Sequence, residues 1–141
     1  MQVASKELSK KLFELSGWGK FHSENVADYF YWHRNDSWRV ANKEKFSKLE
    51  SIGERLEFPA YDLGFLLRKL PGRLPVADWL EIGLELSHSY VSDEWIALYP
   101  NRLTLVRVKP SPPQASAGTP EDAVCLLAIK LFKQGILKKE G

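Results

Sequence analysis

The stretch Thr119-Pro-Glu-Asp-Ala-Val-Cys-Leu-Leu-Ala-Ile-Lys-Leu-Phe-Lys-Gln-Gly-Ile-Leu137 holds a start signal, an apolar body and a stop signal for one helix. Thr119 is a good N-cap, and Pro120 brings the fixed φ wanted at the first helical position. Asp122, three residues after the cap, places a carboxylate where the orphan N–H groups and the positive end of the helix dipole favour one. Gly135 reads as the C′ stop, with Ile136 after it positioned to pack back on Leu131. Between these signals, Ala123 to Ile129 is apolar without a break, wider than one amphipathic stripe. Such a helix is expected to be buried on more than one face, as a layer against a sheet.

Outward from this helix, 141 residues fit one domain, which should bury roughly 68–70% of its unfolded surface and need neither disulfide nor metal to do so. Hydrophobic residues at 44% and charged residues at 27% exclude wholesale disorder. A formal net charge of +2 excludes a strong overall field for nucleic acid or anionic lipid and leaves room for a local basic patch. The lone Cys125 lies in the apolar run and reads as a small buried hydrophobe, since a reactive thiol needs cationic neighbours and partial exposure. The start of the chain lacks the apolar core of a signal peptide, and no segment approaches the roughly 20 apolar residues of a membrane span. A soluble cytoplasmic protein is the expectation.

Ser5 to Ser16 reads as a helix capped by Ser5, with Leu8, Leu12 and Leu15 on one face and Gly17 closing it. Trp18 to Trp38 holds seven aromatic residues and no clear periodicity. Within it, Tyr29-Phe-Tyr-Trp32 fits either a buried strand or an aromatic-rich loop, and His33-Arg-Asn-Asp36 reads as a polar loop. A second helix is expected from the Asn42 cap to Arg55, with Gly53 against it. Pro59 is expected to open a short helix with Leu63, Leu66, Leu67 and Leu70 inward, ended by Pro71-Gly72. Leu80, Ile82, Leu84 and Leu86 alternate as one half-buried strand. Trp95 to Tyr99, a turn at Pro100-Asn101 and Arg102 to Lys109 supply two further antiparallel strands. Residues 110–118, rich in proline and small side chains, read as a surface crossover.

Tyr61-Asp-Leu-Gly-Phe-Leu-Leu-Arg-Lys-Leu-Pro71, the strands after it and Thr119 to Ile129 together resemble a group of small phage- and prophage-encoded proteins. More loosely they resemble the phage ABA sandwich domains, in which a helix, a few antiparallel strands and an alanine-rich closing helix follow in order. The resemblance covers roughly residues 58–135. It implies a fold and a genomic setting and transfers no functional residue.

Tested class by class, the sequence carries no catalytic signature. His22, His33, His88 and Cys125 lack metal-ligand spacing, so no metal or cofactor is expected. There is no Gly-x-Ser-x-Gly elbow and no glycine-rich phosphate loop. Glu81 and Glu85, two pleats apart on one expected strand, suit acid/base work only if their environments separate their pKa values, and otherwise form a solvated face. Asp93-Glu94 reads as turn chemistry. Lys130, Lys133, Lys138 and Lys139 read as a solvated stripe helped by the helix dipole, with an anionic partner as the other option.

The remaining constellation is aromatic. Tyr31, Trp32 and Trp38, interleaved with Arg34 and Arg39, offer stacking faces and cations suited to a protein hot spot or to single-stranded nucleic acid, unless they are simply core. The expectation is a single α+β domain, a small antiparallel sheet of three or four strands packed by helices in a two-to-three-layer sandwich. Its expected role is binding another protein as a phage or prophage accessory factor, with nucleic-acid binding and then a small hydrolase or nuclease as alternatives.

Overall fold

The computed structural model describes residues 2–21, 23–35, 37–42, 45, 57–77, 80–99 and 113–139. Helix α1 runs Lys6–Ser16. The Ser5 hydroxyl accepts from the Leu8 N–H, and Gly17, at φ 70°, stops the helix in the left-handed conformation that glycine adopts without a Cβ clash. The fully buried stripe is Ser9, Leu12 and Ser16, with Leu8, Phe13 and Leu15 partly buried beside it. Both serines satisfy the backbone next to them: Ser9 Oγ donates to the Ala4 carbonyl, and Ser16 Oγ accepts from the Trp18 N–H.

The aromatic stretch resolves into a hairpin, which decides between the two readings left open above. Strands β1 (Tyr29–Arg34) and β2 (Ser37–Asn42) pair antiparallel, from Tyr29 opposite Asn42 to Arg34 opposite Ser37. His33-Arg34 therefore belongs to a strand and not to a polar loop. Two residues connect the strands, and Asn35 sits at φ 51°, a conformation asparagine tolerates and two-residue hairpin turns require. On the other side of β1 lies β3 (Phe58–Pro59), giving the sheet order β2-β1-β3. Asn42 Oδ1 accepts from the Lys45 N–H, as a cap would, while the rest of the helix expected to Arg55 lies outside the described residues.

Pro59 thus ends a strand and does not open a helix. Helix α2 (Leu63–Lys69) starts three residues later, where the Asp62 carboxylate accepts from the Phe65 N–H at 2.8 Å. Phe65, Leu66 and Leu70 face the core, and Leu67 is exposed. The strand expected over 80–86 is two strands. β4 (Arg73–Ala77) pairs with β5 (Leu80–Gly83), whereas β6 (Glu85–Ser89) pairs with β7 (Glu94–Leu98). Between them the Leu84 N–H leaves both ladders and donates to the Gly72 carbonyl. The crossover reading of 110–118 also needs correction, because Gln114–Ala117 forms β8 against β7. Its alternation places Ala115 inward, on a strand that packs against the last helix. The turn at Pro100-Asn101 and the strand at 102–109 lie outside the described residues.

Helix α3 (Pro120–Lys133) follows its signals closely. Thr119 caps it, Gly135 takes φ 77°, and the stop is a Schellman motif: the Gly135 N–H donates to the Phe132 carbonyl and the Ile136 N–H to that of Leu131. The apolar residue packed on the core after this stop is Leu137, with Ile136 left exposed. α3 touches α1, α2, β7 and β8, which is why its apolar run surrounds the helix. The class is therefore α+β, with antiparallel three-stranded sheets packed by helices.

Two phenols tie distant segments to this core. Tyr31 donates to the Ala4 carbonyl and Tyr99 to that of Pro71, each at 2.6 Å. Burial pushes both from the ordinary 10 to about 12, with Asp122 and Glu7 adding to the rise at Tyr31. A raised folded pKa favours the neutral phenol, so the stability it contributes is intact below pH 10 and is lost as pH climbs through about 12. Denaturant midpoints should hold steady to pH 10 and then fall, and Tyr31→Phe should reduce that slope. An alkaline limb identical in the variant would sink this assignment.

Candidate functional site

In an antiparallel pair, residues opposite one another share a face. One face of the β1–β2–β3 sheet carries Tyr31, His33, Trp38, Val40 and Phe58, and the other carries Phe30, Trp32, Arg39, Ala41 and Pro59. On the first face the rings form a ladder. Tyr31 and Phe58 lie 5.5 Å apart, Phe58 and Trp38 5.6 Å, and Trp38 and His33 4.8 Å, all tilted. The ladder begins in the core and ends at the surface, from Tyr31 at 9% exposure to Trp38 at 39%.

Three groups hold the outer end. The Lys6 ammonium sits 4.7 Å from the Trp38 ring centroid, a cation–π contact reaching across from α1. His33 Nδ1 lies 3.3 Å from Glu57 Oε1, where the chain enters β3. Phe58 supports the indole from within the sheet. Trp38 is thus an exposed aromatic whose orientation is fixed by its neighbours, the kind of side chain that loses little conformational freedom when a partner covers it.

The five expected binding residues do not form one patch. Tyr31 and Trp32 are core: Tyr31 packs on Phe58 and bonds to Ala4, and Trp32 joins the main cluster with Phe30 and Ala41. Arg39 is exposed, with its guanidinium 5.9 Å from the Trp32 centroid, on the face opposite Trp38. Arg34 is placed by its backbone opposite Ser37, and its side chain lies outside the described structure. Among the described side chains the cation beside the exposed tryptophan is Lys6, which no sequence pattern singles out.

Elsewhere the chemistry is quiet. Burial, with Asp122 second, pushes the Cys125 thiol above its ordinary value, which keeps it protonated. Glu81 lies in β5 and Glu85 in β6, in different sheets, so the shared strand face that would have paired them is absent. Asp93, at φ 53°, closes the β6–β7 hairpin and accepts His88 Nε2 at 3.0 Å. The Lys130 ammonium donates to the Gln114 carbonyl, and a side-chain hydrogen bond with Lys11 lowers Lys133.

A cleft of about 320 Å³ between residues 24–28 and α2 was not legible in the sequence. Arg68 faces Asp28 across it at 3.9 Å, bringing together residues far apart in the chain. Tyr90 and Val91, almost wholly exposed at the β6–β7 hairpin tip, were also missed. Among the described residues no group of three or more His, Cys, Asp or Glu is placed to hold a metal ion, and no helix is long and apolar enough to cross a membrane. No family model, no curated protein and no solved structure matches this chain.

Proposed function

We propose that this chain is a non-catalytic accessory protein that binds another protein through the corner formed by Trp38, His33 and Lys6. The observation that carries this reading is the ladder from Tyr31 to Trp38, which anchors an exposed indole in the core and gives it a charged rim. Buried anchors with polar rims are how protein interfaces concentrate their affinity. The resemblance of Tyr61 to Pro71 and Thr119 to Ile129 to small phage and prophage proteins supports a phage or host protein as the partner, met in the cytoplasm. Stacking by a nucleic-acid base is the weaker reading, because Lys6 already covers part of the indole.

The test is capture from a host lysate with wild type, Trp38→Ala and, as an exposed apolar control on α2, Leu67→Ala. Trp38→Ala should cost no more than about 1 kcal/mol of stability, since the indole is partly exposed, while weakening the partner by about 2 kcal/mol or more. Leu67→Ala should leave capture unchanged. Nucleic acid captured with a steep loss on added salt would favour the second reading. Identical capture by all three proteins would overturn the proposal.

A further inference from the structure

We infer that β2 is an acceptor edge, to which a partner adds an extended segment of alternating acidic and apolar residues as a fourth strand. This rests on the protein-binding reading of the Trp38 corner and says how the partner is held. In the order β2-β1-β3, β2 has a neighbour on one side only among the described residues. Among the described residues no backbone hydrogen bond outside the β1 ladder reaches residues 37–42. Ser37, Trp38 and Arg39 are all exposed.

Free edges invite unwanted pairing, and proteins usually blunt them. Two of the three other outer strands of the three-stranded sheets, β3 and β8, show how. β3 is two residues long and contains Pro59, which has no N–H to give. β8 is four residues long, and the Lys130 ammonium occupies the Gln114 carbonyl. Among the described residues β2 has neither device over six residues that include Trp38 and Val40. Its one charge is Arg39, which repels a basic strand and attracts an acidic one.

The two faces of β2 specify the incoming side chains. Trp38 and Val40 share a face, so residues opposite them should be apolar. Ser37 and Arg39 share the other, so a carboxylate opposite Arg39 meets a guanidinium not held by any carboxylate among the described residues. Lys6 above Trp38 adds a second positive charge on the other face of the same edge. An extended segment with acidic residues on one side and apolar ones on the other satisfies both faces, with main-chain bonds supplying affinity and side chains supplying selection.

The probe is a capped pentapeptide of alternating glutamate and leucine, titrated into the full chain while the backbone amide signals of residues 37–41 are followed by NMR. Shifts in those amides are expected, with no response to the lysine–leucine counterpart. Trp38→Ala should weaken binding at least about tenfold, and Arg39→Glu should switch the preference to the lysine peptide. Strand addition uses the N–H groups of alternate peptide residues. Of two versions N-methylated at odd or at even positions, one should therefore lose binding and the other keep it. Equal behaviour of the two versions, with Trp38→Ala still weakening binding, would overturn strand addition and leave the protein-binding corner standing. Binding indifferent to both Trp38→Ala and Arg39→Glu would remove the inference and that reading together. No amide shift at millimolar peptide, or dimerisation of the free chain through β2, would also overturn the inference.

Discussion

Leu131→Asp is expected to abolish cooperative unfolding. Leu131 is fully buried in α3 within the main core cluster, and its carbonyl receives the Ile136 and Leu137 N–H groups of the helix stop. A carboxylate there must either be ionised in apolar surroundings or take up a proton, at a cost of several kcal/mol. Domains of this size hold about 5–15 kcal/mol of stability, so most of it would be lost. The control is Ile136→Asp, five residues on and exposed, expected to change stability by no more than about 0.5 kcal/mol. Denaturant titrations read by tryptophan fluorescence separate the two. A Leu131→Asp midpoint equal to wild type would show that α3 is not the centre of the core.

What the sequence disclosed and what it hid divide by the range of the interaction. The ends of α1 and α3 were legible because a cap is local: Ser5 and Leu8, Thr119 and Asp122, and Gly135 with Leu131 lie within one turn. The start of α2 was misplaced because Pro59 and Asp62 are both start signals. Only the pairing of Phe30 with Pro59, across 29 positions, makes Pro59 part of a strand. The same holds for β8, whose sequence of small residues looks like a linker until α3 lies over Ala115. Alternation from Leu80 to Leu86 continues unbroken through a point where the backbone changes sheets, since side-chain period does not report which neighbour a strand has.

The candidate site follows the same rule. Aromatic density between Trp18 and Trp38 marked a structured region, but which rings are exposed depends on the hairpin register. A shift of one residue would exchange Trp38 for Arg39 on the Phe58 face. Lys6 comes from the preceding helix, and no local pattern ties it to residue 38.

Trp18→Ala is expected to cost about 3–5 kcal/mol, several times the cost of Trp38→Ala, although both residues belong to the same aromatic stretch. Trp18 is buried and meets Phe132 of α3 edge-on at 5.1 Å. Its backbone is held as well, with the N–H donating to Ser16 Oγ and the carbonyl accepting the Tyr61 hydroxyl at 2.7 Å. The residue therefore joins the end of α1, the segment before α2 and the last turn of α3, and truncation leaves a large cavity where three elements meet. Tyr61→Phe separates the two contributions. It removes the hydroxyl that donates to the Trp18 carbonyl and should cost about 1–3 kcal/mol, because a buried acceptor is left unpaired. If Trp18→Ala proves no more destabilising than Trp38→Ala, the two rings do not differ in burial as described, and Trp38 loses its standing as the outward-facing member of the set.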